Sequence, residues 1–208
     1  MLNAEVQALK KEFRQIITII GGSLAILWSV WIASVILVPL HLADHGIHPR
    51  TVSGLEGIIF APFLHASFMH ILGNSIVFVP FATLILMQDI SSFFTVTIIT
   101  ALISGLGTWL IGSPNTNHIG ASGVIFGYFG YCISIGFFKK KVSTILFSLI
   151  IIITYGSMIF GILPAQIGIS WEEHLFGLIG GIFSAFLLSK NAFVTRLHAP
   201  ATIFPKDH

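Results

Sequence analysis

Residues 120–138, GASGVIFGYFGYCISIGFF, form a continuous apolar segment that is rich in glycine. A helix of about 20 such residues spans the hydrocarbon core of a bilayer. Gly123, Gly127 and Gly130 are spaced four and three residues apart, which predicts a smooth stripe on one helix face where a second helix can pack closely. The segment therefore predicts a membrane-spanning helix within a bundle, and this helix begins at Ser122.

Apolar segments of similar length recur along the chain. Hydrophobic residues make up 55% of the 208 residues, charged residues make up 9%, and the mean hydropathy is +0.95. This composition excludes a soluble globular domain. We predict an all-α polytopic membrane helix bundle with six transmembrane helices, near residues 16–40, 66–87, 92–111, 122–138, 142–161 and 172–189.

The predicted organisation is one membrane domain over residues 16–190, with polar tails at 1–15 and 191–208. The external connection, about residues 41–65, is too long for a tight link, and such loops are usually functional or packed into the protein. Cys132 is the single cysteine, so an intramolecular disulfide and a cysteine-based metal site are both excluded.

The basic residues predict the orientation, because loops rich in Lys and Arg stay in the cytoplasm. Nine of the ten fall on one side: Lys10, Lys11, Arg14, Lys139, Lys140, Lys141, Lys190, Arg196 and Lys206. Only Arg50 falls on the other side. Both termini are therefore expected in the cytoplasm. The net charge of +2 reflects this topology and does not indicate nucleic acid binding.

Ser122 is a candidate nucleophile, because flanking glycines admit a second backbone and the start of a helix directs free N–H groups at the reacting atoms. His174 is the candidate base. Ser122 lies 17 residues before Lys139 and His174 lies 16 residues before Lys190, so both sit about 25 Å above the inner boundary at 1.5 Å per residue. The same count from the inner end of the second span places His70 at about 27 Å.

Two further patterns support this convergence. Gly177 and Gly181 share a helix face with His174 and let a neighbouring backbone approach, although such a pair taken alone is more often a sign of generic helix packing. His70 and Asn74 are four residues apart and share a face. They are candidate donors to an oxyanion, and the alternative is a pair of structural interhelical hydrogen bonds.

Three motifs resemble those of the rhomboid intramembrane serine proteases: Gly-x-Ser-Gly opening the fourth span, His-x-x-x-Asn in the second, and His-x-x-Gly-x-x-x-Gly in the sixth. The resemblance covers about residues 16–190. It implies a nucleophile at Ser122 with His174 as its base, and an oxyanion hole formed by His70, Asn74 and the backbone of Gly120, Ala121 and Ser122. It implies no cofactor and no metal. The implied substrate is a transmembrane segment of another membrane protein, cut within the lipid bilayer of a bacterial cell membrane.

The sequence departs from that family at Glu173, where a small residue usually precedes the histidine. Residues one or two apart on a helix do not share a face, so Glu172 and Glu173 should not reach the His174 ring, and a dyad is expected. Phe126, one turn after Ser122, is expected to pack against the imidazole, unless it belongs to the ordinary core. The connection over residues 162–170 is expected to act as a movable cap.

Two other functions are also compatible with the sequence. His65, His70, His118 and His174 could ligate a metal or haem, although that reading leaves the glycine-flanked serine unexplained. The second rival is a catalytically inactive relative that binds membrane clients. The oligomeric state is not predicted.

Overall fold

The computed structural model describes residues 2–164 and 168–198. In those residues the chain is helical, and the extended pairing is limited to an isolated bridge between Ile47 and His118. The helices in chain order are α1 (Leu2–Ile36), α2 (Gly57–Phe60), α3 (Phe68–Leu86), α4 (Ile90–Ile111), α5 (Ser122–Lys139), α6 (Val142–Tyr155) and α7 (Trp171–His198). Short 3-10 turns lie between α1 and α3, and another (Gly156–Ile162) continues α6. The predicted all-α fold is confirmed.

Five helical segments in the described chain are long and apolar enough to cross a membrane: α1 from Glu5, then α3, α4, α5, and α6 with its 3-10 continuation. The sixth predicted span corresponds to α7, whose first turn contains Glu172 and Glu173. These charges lower its mean hydropathy, yet α7 packs extensively against α4 and α5. The prediction of a polytopic membrane bundle is therefore confirmed. Helix α1 begins well before the predicted span, since the expected N-terminal tail continues into it.

Helix α5 is the most buried of these segments and occupies the centre of the bundle. Gly177 and Gly181 of α7 lie against the carbonyl oxygens of Gly123 and Gly127, where an added Cβ would collide with the α5 backbone. A side chain at either α7 position would therefore force the helices apart. This approach of two glycine-lined faces brings the first turns of α5 and α7 together.

The long loop between α1 and α3 is fastened to the connection between α4 and α5. The Ile47 N–H donates to the His118 carbonyl at 2.9 Å, and the His118 N–H donates to the Ile47 carbonyl at 3.0 Å. Gly120 N–H donates to the Ala61 carbonyl at 2.9 Å. Because these backbone groups form hydrogen bonds with each other, the loop is held in place beside the start of α5.

Candidate active site

Ser122 is the first residue of α5 and follows a turn that depends on glycine. Gly120 has φ +131°, a conformation that L side chains rarely adopt. A Cβ at this position would also lie 2.7 Å from His70 Nε2, closer than carbon and nitrogen can pack. The glycine therefore provides both the turn that presents Ser122 and the space for the His70 ring.

His174 lies in the first turn of α7 and is held at two points. Its Nδ1 lies 2.9 Å from the Gly161 carbonyl. A carbonyl oxygen only accepts, so Nδ1 carries the proton and Nε2 has a free lone pair. The ring also stacks on Phe126, with 4.0 Å between ring centroids and 7° between planes. The contact with Phe126 that the sequence suggested is therefore present, and the imidazole is fixed in one tautomer and one orientation.

Ser122 and His174 line the same cavity, which has a volume of about 940 Å³. His70 and Asn74 of α3 line it too, so the structure brings together the four side chains that the sequence singled out. In the described residues no hydrogen bond joins Ser122 to His174. Catalytic hydrogen bonds are often long in the unliganded state and tighten when substrate binds.

His65, to which the sequence assigned only a possible metal-binding role, lies at the centre of the polar network. Its Nε2 accepts from Asn74 Nδ2 at 3.0 Å and from the Ala121 N–H at 3.4 Å. Its ring packs edge-on against His70, at 5.0 Å between centroids. Burial lowers the pKa of His65 to about 4, so the ring is neutral near pH 7 and can accept these bonds. No helical spacing could have identified it, because it precedes α3 in an irregular segment.

The backbone amides before Ser122 differ from the prediction. Gly120 N–H and Ala121 N–H were expected to face a developing oxyanion, but they donate to the Ala61 carbonyl and to His65 Nε2 respectively. Each N–H has one hydrogen to give, so these amides stabilise the turn. Within the described chain the Ser122 N–H has no acceptor, and Asn74 retains a second amide hydrogen.

The two acidic residues beside His174 do not contact its Nδ1, because the Gly161 carbonyl occupies that position. Glu173 is buried on the opposite side, against Gly123, and its carbonyl accepts from Ser104 Oγ at 2.8 Å. The geometry therefore has a backbone carbonyl where a triad would have a carboxylate.

The His118 side chain links the loop between α4 and α5 to the residues just before α7 through hydrogen bonds. Its Nδ1 lies 2.6 Å from Ser170 Oγ and its Nε2 lies 2.7 Å from Thr116 Oγ1. Burial lowers the pKa of His118. Three of these loop residues, Thr116, His118 and Ser170, line the cavity.

The cap predicted over residues 162–170 includes 165–167, which lie outside the described residues. In residues 2–164 and 168–198, no group of three His, Cys, Asp or Glu side chains is arranged to hold a metal ion.

The fold and the cavity define a polytopic membrane helix bundle in which a serine and a histidine from two helices line one polar cavity. The family profile of the Rhomboid domain matches residues 53–191. The chain belongs to the rhomboid family.

Several bacterial proteins are similar to this chain in sequence. An uncharacterized protein of Mycobacterium tuberculosis is 39% identical over 153 residues, covering 70% of this chain and 64% of the relative. One of Mycobacterium leprae is 35% identical over 163 residues, covering 74% and 64%. A provisionally named rhomboid protease of Bacillus subtilis is 35% identical over 127 residues, covering 60% and 62%. The chain thus spans less than two thirds of the length of these relatives.

Proposed function

We propose that this chain is an intramembrane serine endopeptidase that cleaves transmembrane segments of other membrane proteins with a Ser122–His174 dyad. Membership of the rhomboid family supports the reaction class. The observation that carries the proposal is the fixed state of His174. Its Nδ1 proton is held by the Gly161 carbonyl at 2.9 Å, and its Nε2 is left as a base in the cavity that Ser122 lines.

The proposed reaction is acyl transfer in two steps. Ser122 Oγ attacks the peptide carbonyl while His174 Nε2 takes the hydroxyl proton, and the imidazolium then gives that proton to the leaving amine. Water from the cavity attacks the acyl-enzyme, with His174 again taking and returning the proton. The Gly161 carbonyl stabilises the imidazolium through Nδ1–H, and stacking on Phe126 keeps the ring in position.

The negative oxygen of the tetrahedral intermediate needs donors near Ser122. His70, the free amide hydrogen of Asn74 and the Ser122 N–H are the proposed donors, and a donor of this kind contributes roughly 3–4 kcal/mol. Gly120 and Ala121 act indirectly, because their bonds to Ala61 and His65 hold the turn that aims the Ser122 N–H.

The position in the membrane is part of the proposal. The charge distribution supports cytoplasmic termini, and the bacterial relatives support a bacterial inner membrane. Residues 16–190 form the proposed membrane domain, with tails at 1–15 and 191–208. The substrate segment must unwind to reach Ser122, so small, helix-weakening residues are expected near the cleaved bond.

Labelling with a fluorophosphonate probe tests this function. The purified full chain in detergent or vesicles is compared with Ser122→Ala and His174→Ala, and circular dichroism verifies that each variant is folded. Labelling of the wild type alone is expected. Equal labelling of Ser122→Ala would overturn the nucleophile assignment, and a folded wild-type protein that never reacts would favour the inactive client-binding alternative.

A further inference from the structure

We propose that Glu172 forms a cation-binding subsite in the cavity, where it takes a Lys or Arg side chain of the substrate segment close to the cleaved bond. This inference rests on the proposed peptidase function. It adds a substrate class, because it predicts a basic residue in the segment that enters the site.

Glu172 is a nearly buried residue of the cavity wall. It lies in the first turn of α7, two residues before His174, and is 5% exposed. Together with Ser122, His174 and Ser170 it lines the cavity of about 940 Å³. A group held by the Glu172 carboxylate would therefore share one space with the two proposed catalytic side chains.

The Glu172 carboxylate has no partner within the described part of the chain. Among the residues that the structure describes, it makes neither a hydrogen bond nor an ion pair, whereas the exposed Glu56 lies 2.7 Å from His45. The Glu172 oxygens are not among the fully buried unpartnered atoms and therefore reach the cavity, but a carboxylate with so little access to water is costly without a partner. The first turn of a helix, which favours negative charge, compensates for this cost only in part. Both carboxylate oxygens of Glu172 can therefore accept hydrogen bonds from a ligand.

No other group in the described cavity wall neutralises this charge. His118 is the basic group on which the charge of Glu172 acts, but burial outweighs that effect and the pKa of His118 is lowered. Both of its ring nitrogens are also engaged, by Ser170 and Thr116. The described lining contains no Lys or Arg. A cationic side chain is thus the ligand that satisfies the carboxylate best, through a charge-assisted hydrogen bond.

The neighbouring Glu173 has a different environment. It packs away from the cavity against Gly123 and does not line it. The acidic pair therefore has one member inside the bundle and one facing the space where substrate enters, and only Glu172 is assigned to the subsite.

Two sets of fluorophosphonates test the proposal without a natural substrate. Each probe carries a spacer of varied length that ends either in trimethylammonium or in the isosteric, neutral tert-butyl group. Labelling forms a bond from Ser122 Oγ to phosphorus and releases fluoride, while His174 takes the hydroxyl proton. The measured quantity is the ratio of the two second-order rate constants at the best spacer length, for the wild type, Glu172→Gln, Glu172→Lys and the control Glu56→Gln.

The expected ratio is about 10 in the wild type and in Glu56→Gln, since an ion pair between trimethylammonium and the Glu172 carboxylate of about 1.4 kcal/mol corresponds to tenfold. It should fall to about 1 in Glu172→Gln and below 1 in Glu172→Lys. A wild-type ratio of 1 at every spacer length, or a ratio that survives in Glu172→Gln, overturns the subsite while leaving the peptidase proposal intact. Absence of labelling by both probes rejects the peptidase proposal and the subsite with it.

Discussion

Replacing Gly161 by alanine adds a single methyl group, which should slow catalysis while the protein stays folded. Its carbonyl oxygen accepts a hydrogen bond from Nδ1–H of His174, with 2.9 Å between nitrogen and oxygen, and its Cα faces the ring of Phe126. An ideal Cβ would lie 2.6 Å from Phe126 Cζ and 3.4 Å from His174 Nδ1. Gly161→Ala should therefore displace the Phe126 ring, on which the imidazole stacks.

The magnitude follows from these distances. Ordinary van der Waals contact begins at 3.4 Å, so a Cβ at 2.6 Å requires a shift of 3.4 − 2.6, about 0.8 Å. Misplacement of a catalytic group by about 1 Å costs up to about 10²-fold in rate. We expect Ser122 acylation to slow about 10- to 100-fold, which corresponds to about 1.4–2.7 kcal/mol in activation free energy. The substrate KM should change little, because Gly161 does not line the cavity.

The assay is the rate of fluorophosphonate labelling, followed by kcat and KM on a transmembrane peptide that the wild type cleaves. Gly156→Ala is the matched control, since it lies in the same 3-10 turn and its Cβ would meet only Ile152 Cγ2 at 3.9 Å. Wild-type labelling rates in folded Gly161→Ala would refute the claim that the Gly161–Phe126–His174 contact positions the base.

Three further outcomes are expected. The pKa of His65 is lowered from 6.5 to about 4 in the folded protein, so the unfolded chain binds the proton first. The contribution of His65 to the free energy of unfolding is fully present above pH 6.5, and at most about 3 kcal/mol is lost as the pH falls to 4. Melting temperatures should show this loss, and it should shrink in His65→Gln. Gly181→Val should destabilise the fold by about 1–3 kcal/mol or more, because its side chain would meet the Gly127 carbonyl. Thermal unfolding that matches the wild type would contradict this packing. Asn74→Ala should slow acylation about 10²-fold through loss of one oxyanion donor, and rates within threefold of wild type would remove Asn74 from that role.

Much of the fold could be predicted from local patterns. Hydropathy and segment length indicated the membrane bundle, and four-residue glycine spacing indicated the faces of α5 and α7 that meet at Gly123 and Gly177. Counting residues from the lysines predicted that Ser122 and His174 lie at one depth, and the two residues line one cavity. These predictions work because a helix has a constant rise and period.

Other features had no signal in the chain. The role of His65 depends on an irregular loop that returns to the start of α5, where Asn74 and the Ala121 N–H donate to its ring. The same loop provides the Ala61 carbonyl, which accepts the hydrogen bond from the Gly120 N–H. Helical periodicity does not extend into such a segment, so its contacts could not be predicted.

By itself the sequence determined the class of protein, the spans and the faces on which helices approach, because hydropathy and the position of glycine are properties of the residues themselves. Only the tertiary structure decided how the His174 ring is held. The Nδ1 of His174 is bonded to a backbone carbonyl from Gly161, 13 residues earlier in the chain. Every residue has such a carbonyl, so its selection is a matter of fold geometry that residue identity does not encode.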